Sequence, residues 1–325
     1  MTKRHRIVLV GAGSMGTLHA RVLSQSDRVE LVRIVDPSEN AKAVAERFDT
    51  TWTPELESLS GVDAVVLAAA TPTHHRIAMD VLSQDVALLV EKPVCDDLAA
   101  TEEVVATAAT RSLPFMCGLL ERYNPAVMTA LAVLDNPLHV AAVRHSPYAP
   151  RIKTGVGWDL LVHDVDLAIR CFGGVEPTKV SASTGLFHPS SIAGAEDIAE
   201  TVLGFPEGGL ASVSASRVGQ RKVRSLTVTE IDRSIEIDLL RRDVTIYRHV
   251  SAEAATPDGR GYRQQSVIEI PELVSVREPL ATQLDRFADL LDGTADLAEE
   301  RESILPSHRV VAKVLAQREL AATTA

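Results

Sequence analysis

Cysteine is scarce in this chain, with three in 325 residues: Cys95, Cys117 and Cys171. An odd count with no Cys-x-x-Cys pair excludes a disulfide framework as the basis of the fold, and a reducing cytoplasm is the expected compartment. Each cysteine lies in an apolar segment and reads as a small buried residue. Positive charge is also in deficit, 33 Lys and Arg against 44 Asp and Glu, for a formal charge of -11. That balance argues against a nucleic-acid partner, because phosphate contacts need clustered cations. Apolar runs such as Val65 to Ala70 fall far short of the roughly 20 residues a membrane span requires. Met1-Thr2-Lys3-Arg4-His5 passes directly into a strand-like segment instead of a signal-peptide core, so no membrane association is expected. Repeats and low-complexity segments are lacking too. One local basic cluster, Arg221-Lys222-Val223-Arg224, is either a solvated strand end or a contact for an anionic substrate group.

What is present begins at the amino terminus. The apolar run Arg6 to Val10 breaks at once into Gly11-Ala12-Gly13-Ser14-Met15-Gly16, a buried strand turning through glycines into a helix. This is the dinucleotide-binding fingerprint in its required context: Gly11 for the tight turn, Gly13 for approach of a pyrophosphate, Gly16 for close packing of helix on strand. The helix N-terminus offers unpaired N–H groups to phosphates. A second β-like run, Val29 to Val35, ends in Asp36, about twenty residues on, where the fingerprint places its acidic residue. A carboxylate there accepts ribose hydroxyls and repels a 2′-phosphate, favouring NAD over NADP. Asp36-Pro37 could alternatively do no more than open a turn and cap the next helix.

With 46% hydrophobic residues, the chain has enough apolar content for two cored domains. Up to residue 120, short apolar strands (Ile7 to Val10, Val29 to Val35, Asp63 to Ala69, Ala87 to Val90, Phe115 to Cys117) alternate with helical stretches near Met15 to Ser24, Asn40 to Phe48, His75 to Leu82 and Asp97 to Thr110. This α/β rhythm predicts a Rossmann domain over 1–120, a doubly wound parallel sheet whose loops at Gly11, Asp36, Ala70 and Glu91 face one crevice. Over 121–325 the pattern changes to an α+β domain with a large, mostly antiparallel open sheet. One amphipathic helix is expected from Val156 to Phe172, and strands at Lys179 to Thr184, Ile198 to Phe205, Leu210 to Ser216, Val223 to Thr229, Ser234 to Asp238 and Val244 to Tyr247. Helices Pro279 to Leu291 and Pro306 to Leu320 follow, the last packing back on the first domain.

Three polar residues stand out. Lys92, in Glu91-Lys92-Pro93, follows the strand Ala87 to Val90 at the end where cofactors bind, although an ordinary exposed lysine fits the same position. Asp159 and His163 are spaced i, i+4 and so share one helix face, with Asp166 and Arg170 extending it and Leu161, Val165, Ala168 and Phe172 opposite. A carboxylate beside an imidazole suits removal of a hydroxyl proton; a solvated helix face accounts for the spacing equally well. A metal site at His163-Asp164-Val165-Asp166 is disfavoured, since no second cluster supplies the remaining ligands.

Taken together, the Gly11–Gly16 loop, Asp36, Ala70-Thr71-Pro72-Thr73-His74, Glu91-Lys92-Pro93 and Trp158 to Asp166 resemble the glucose-fructose oxidoreductase/inositol dehydrogenase/MocA family of NAD(P)-dependent dehydrogenases over essentially the whole chain. The resemblance implies oxidation of a CH–OH group on a sugar, cyclitol or nucleotide sugar, with Lys92, Asp159 and His163 as the active site and His163 as general base. It implies NAD contacts from Gly11, Ala12, Gly13, Ser14, Met15, Gly16, Asp36, Ala70, Thr71, Pro72, His74, Glu91 and Lys92, and no metal. It also implies a homodimer or homotetramer paired through the open sheet. Gly118 to Ala126 and Ser146 to Ile152 are similar to the UDP-N-acetylglucosamine dehydrogenases of the family, which makes Arg122, Tyr123 and Arg151 candidates for substrate binding. Arg221 and Arg224 are further cations for a diphosphate. The short spacing from Pro72 to His74 is instead similar to the inositol enzymes, so myo-inositol or a free sugar remains an alternative substrate. A non-catalytic NAD-binding sensor is an alternative of a different class.

Overall fold

The structure is a computed structural model that describes residues 4–150, 152–256 and 259–323, with no side-chain description for 252–263 and 318–323. Contacts divide the chain into two compact units, one of residues 1–120 and 278–312, the other of 121–277 and 313–325.

The first unit is built on a six-stranded, fully parallel sheet in the order β3-β2-β1-β4-β5-β6. Its strands are β1 (His5–Val10), β2 (Val29–Val35), β3 (Thr51–Thr53), β4 (Ala64–Leu67), β5 (Ala87–Glu91) and β6 (Phe115–Gly118). Ile7, Val8, Leu9 and Val10 are all buried, as expected of a central strand covered on both faces. The crossover helices are α1 (Ser14–Gln25), α2 (Ala41–Arg47), α3 (His74–Ser83) and α4 (Leu98–Thr110). α1 buries Gly16, His19, Ala20 and Leu23, an i, i+3, i+4, i+7 stripe, and Asp97 caps α4 by accepting the Ala100 N–H at 2.8 Å. Strand β3 is short and half exposed, a poor apolar signal, and was not anticipated from the residue pattern.

The second unit contains an eight-stranded sheet in the order β14-β13-β12-β11-β7-β10-β9-β8, antiparallel except where β7 and β10 run parallel. Helix α5 (Pro125–Val133) precedes β7 (His139–His145), and β8 to β12 are Lys179–Gly185, Ile198–Gly204, Leu210–Ser216, Val223–Thr229 and Ser234–Asp238. The long hairpin β13 (Asp243–Thr256) and β14 (Gly259–Glu269) closes the sheet, where a four-residue strand at Val244 to Tyr247 was expected. One sheet face is covered: Val140, Ala142, Ala211, Val213, Ala199, Leu203, Leu226 and Val228 point to the core, and α6 (Val162–Cys171) packs on β7 and β10. On the opposite face, among the described residues, Val202, Leu210, Tyr247 and Ile268 are exposed. Strand register aligns Leu210, His139, Thr229, Ser234, Tyr247 and Ile268 in one row across it.

Instead of one helix from Val156 to Phe172, a π turn over Gly157–Leu161 runs into α6. The three remaining helices are α7 (Pro279–Leu291) and α8 (Leu297–Glu302), both in the first unit, and α9 (Leu305–Thr323), which belongs to the first unit up to residue 312 and to the second from 313.

Candidate functional site

In the first unit, the chain leaves β1 through Gly11 at φ +96° and enters α1 at Ser14. A Cβ on Gly11 would lie 2.6 Å from the backbone of Ala68 and Ala69, and one on Gly16 would lie 1.9 Å from the Gly11 carbonyl oxygen. Both positions therefore require glycine for packing alone. At Gly13 an added Cβ would meet nothing within 4 Å, and no side chain caps the α1 N-terminus there. The loop is thus closed against the protein and exposed at Gly13 and Ser14, with no side-chain cap on the helix N-terminus, which fits a dinucleotide pyrophosphate. Ala12 and Met15 are half-buried beside them.

Asp36 ends β2 against this loop. Its Oδ2 accepts the Ala12 N–H at 2.7 Å and its Oδ1 the Ser38 N–H at 2.8 Å. The carboxylate thus lies at the glycine loop and closes a turn at Ser38, but it does not cap the next helix, whose N-cap residue is Asn40. Trp52, on the unanticipated β3, donates its indole N–H to the Asp36 carbonyl at 3.0 Å and steadies that turn.

Three buried histidines hold the loop that carries Lys92. His19 Nε2 lies 2.7 Å from Glu91 Oε1. His74, 1% exposed, brings Nδ1 to 3.0 Å from the Pro93 carbonyl and Nε2 to 3.1 Å from the Ala69 carbonyl, tying the loops after β4 and β5 together. His308 Nε2 accepts the Val94 N–H at 3.2 Å, and its Nδ1 lies 2.9 Å from the Ile304 carbonyl. Lys92 itself is half-buried, and Thr71–Thr73 forms a short turn with Ala70 and Pro72 exposed. His74 and Glu91, expected as cofactor contacts, are buried against protein partners in this arrangement. His19 and His308 gave no signal in sequence, because a lone histidine on an apolar helix stripe has no pattern to distinguish it.

In the second unit, Asp159 sits in the π turn and His163 in the first turn of α6, both half-buried. Arg217 Nη2 approaches Asp159 Oδ2 at 3.4 Å. Glu196 Oε1 accepts the Gly157 N–H at 2.7 Å at the start of the π turn. Neither Arg217 nor Glu196 was anticipated. The expected continuation of the polar face through Asp166 is overturned. Asp166 is buried and takes the Arg122 guanidinium through Nε at 2.8 Å and Nη2 at 2.5 Å. Arg122 is therefore committed to a bidentate internal pair, and the structure does not present it as a cation for a substrate diphosphate. Tyr123 is half-buried in the turn Leu120–Tyr123, and Arg151 lies outside the described residues.

Directly after His163, Asp164 forms a second internal pair. Arg144, 1% exposed on β7, donates to Asp164 through Nε at 2.9 Å and Nη2 at 2.8 Å and to Glu121 through Nη1 at 3.0 Å. Burial by itself would lower the Arg144 guanidinium, but the Asp164 and Glu121 carboxylates more than offset it and its pKa is raised. Arg224 lies half-buried beside Glu121 at 3.4 Å, and burial together with the Arg144 charge lowers its value. Arg221 is exposed. Among the described residues no group of three or more His, Cys, Asp or Glu is arranged to hold a metal ion, and no helix is long and apolar enough to cross a membrane.

Residues 5–119 match the oxidoreductase family with NAD-binding Rossmann fold, GFO_IDH_MocA, and residues 132–237 match the C-terminal domain of the same family. The chain is 27% identical over 290 residues to UDP-N-acetylglucosamine 3-dehydrogenase of Acidithiobacillus ferrooxidans, covering 88% of each chain. It is 35% identical over 195 residues to inositol 2-dehydrogenase of Acidothermus cellulolyticus, covering 55% of this chain and 57% of the other. A solved structure of the Acidithiobacillus ferrooxidans enzyme superimposes with a TM-score of 0.80 at 26% identity, over 97% of this chain and 99% of that one.

Proposed function

The chain belongs to the Gfo/Idh/MocA family of oxidoreductases, with an NAD-binding Rossmann domain, and from that premise we propose that it oxidises a ring hydroxyl of a nucleotide sugar to a ketone. The observation that carries the reading is the placement of Asp159 and His163, half-buried on successive turns at the start of α6, with a buried arginine against Asp159. Similarity over 88% of each chain to a UDP-N-acetylglucosamine 3-dehydrogenase supports the substrate class.

NAD, when bound, supplies the hydride acceptor. His163 takes the hydroxyl proton as the hydrogen on the same carbon leaves with its electron pair, so that the alcohol becomes a ketone. Lys92 donates a hydrogen bond to the reacting oxygen and stabilises the negative charge that develops on it. Asp159 fixes the orientation of the His163 ring. The three buried histidines around residues 91–94 hold Lys92 in place.

A second reading, a free cyclitol or sugar as substrate, is favoured by the internal use of Arg122, which removes one cation from those available to a diphosphate. The exposed row that includes Leu210 at 51% and Ile268 at 60% supports pairing of two copies through the open sheet. Purified protein is assayed for NADH formation against UDP-sugars, hexoses and cyclitols. His163→Ala and Lys92→Ala are expected to lower kcat by about 10²- to 10⁴-fold with NAD affinity unchanged. Full activity in either variant ends the role given to that residue.

A further inference from the structure

We infer that Arg217 and Glu196 form a two-point clamp that positions Asp159, and through it His163, for the dehydrogenase reaction proposed above. A π turn has poorer backbone geometry than an α turn and persists where its surroundings hold it. Asp159 stands on such a turn, Gly157–Leu161, so its carboxylate is placed by whatever braces that segment.

Two braces are visible. At the start of the turn, Glu196 accepts the Gly157 N–H through Oε1 at 2.7 Å and the Val156 N–H through its backbone carbonyl at 3.0 Å. Its negative charge meets the positive end of the helical segment. The sequence is shaped for this contact, because a Cβ on Gly155 would fall 2.3 Å from Glu196 Oε1. The second brace is Arg217, whose side chain is only 6% exposed and whose guanidinium approaches the Asp159 carboxylate at 3.4 Å.

Both braces belong to one frame. Arg217 follows β10 and Asp197 precedes β9, two strands paired antiparallel with Ser216 opposite Ile198. The Arg217 N–H continues that ladder by donating to the Asp197 carbonyl at 2.9 Å. Glu196, adjacent to Asp197, is therefore fixed relative to Arg217 by sheet hydrogen bonds. Arg224 is the further cation whose charge reaches Asp159. A rigid pair of strands thus grips the turn once by its backbone and once by the acid it carries. Neither brace is a catalytic residue. Both are positioning residues, acting through the carboxylate they hold.

The test compares wild type with Arg217→Gln and Arg217→Lys, in steady-state kinetics and in native-state hydrogen exchange of amides 156–162. Removing the clamp misplaces the acid without touching the substrate, so Arg217→Gln is expected to lower kcat about 10- to 100-fold with KM within about twofold. Amides 156–162 should exchange at least about tenfold faster in that variant. Arg217→Lys, which keeps the charge, should recover most of the exchange protection and part of kcat. A rise in KM at unchanged kcat would assign Arg217 to substrate binding and overturn the clamp, as would unchanged exchange in Arg217→Gln. Faster exchange in Arg217→Gln, in a wild-type protein that produces NADH from no sugar on the panel, supports the clamp and overturns the dehydrogenase reading instead.

Discussion

Substituting alanine one at a time at Gly11, Gly13 and Gly16 separates folding from cofactor binding, because the three positions differ in what an added methyl meets. At Gly16 the new Cβ would lie 1.9 Å from the Gly11 carbonyl oxygen, a backbone atom that cannot swing aside. Overpacking of this kind costs about 1–3 kcal/mol or more. At Gly11 the 2.6 Å approach to Ala68 and Ala69 is joined by φ +96°, which adds about 1–3 kcal/mol for a residue with a side chain. At roughly 1.5 °C per kcal/mol for a chain of 325 residues, Gly16→Ala should melt about 1.5–5 °C below wild type, and Gly11→Ala lower still. Gly13→Ala meets open space. Loss of glycine's favourable cap character and the lowered entropy of the unfolded chain nearly cancel there, so its melting point should stay within about 1 °C of wild type. The methyl would nevertheless intrude where the pyrophosphate passes, and NAD affinity should fall about 10- to 100-fold. Thermal melting without NAD, together with calorimetric titration of NAD, reads both quantities. If Gly13→Ala binds NAD as wild type does, or if Gly16→Ala melts with wild type, the division of labour among the glycines is wrong.

Asp36→Ala removes the acceptor of the Ala12 and Ser38 N–H groups and should weaken NAD binding about 10- to 100-fold while narrowing the preference for NAD over NADP, as measured by titrating both. Arg144→Met leaves the Asp164 and Glu121 carboxylates without their guanidinium and should cost about 3–5 kcal/mol in denaturant unfolding, whereas the double variant with Asp164→Leu should recover part of that loss. Burial would raise the Asp197 carboxyl, but the N–H groups of His188 and Phe187 and the Ser191 hydroxyl outweigh it and hold its pKa below the ordinary value. Its contribution is therefore complete above the unfolded carboxylate value near pH 4 and is lost as pH falls through the lower folded value. Asp197→Asn should show a shallower loss of stability on acidification from pH 5 to pH 2, and an acid limb identical to wild type would contradict this.

The sequence by itself determined the parts of the molecule whose cause is local. A strand buried on both faces must be a continuous apolar run, and a tight turn that meets other backbone must be glycine. So β1, β2 and the Gly11–Gly16 loop, with Asp36 at its end, were legible, and α7 was read at the ends it has, Pro279–Leu291. In the second unit β10, β11 and β12 were legible from alternation alone. Strand β7, at the middle of the open sheet, was not, because its core-facing positions are Val140, Ala142 and Arg144, and a buried arginine breaks the apolar alternation. Only tertiary structure could decide that Arg144 and Arg122 are spent on Asp164 and Asp166. The charge of a side chain is written in the sequence, but its partner is chosen by which distant strand or turn the fold brings beside it. The same holds for His19, His74 and His308 around the Lys92 loop and for Glu196 and Arg217 around Asp159. Hydrogen bonds between residues far apart in the chain leave no periodicity to read.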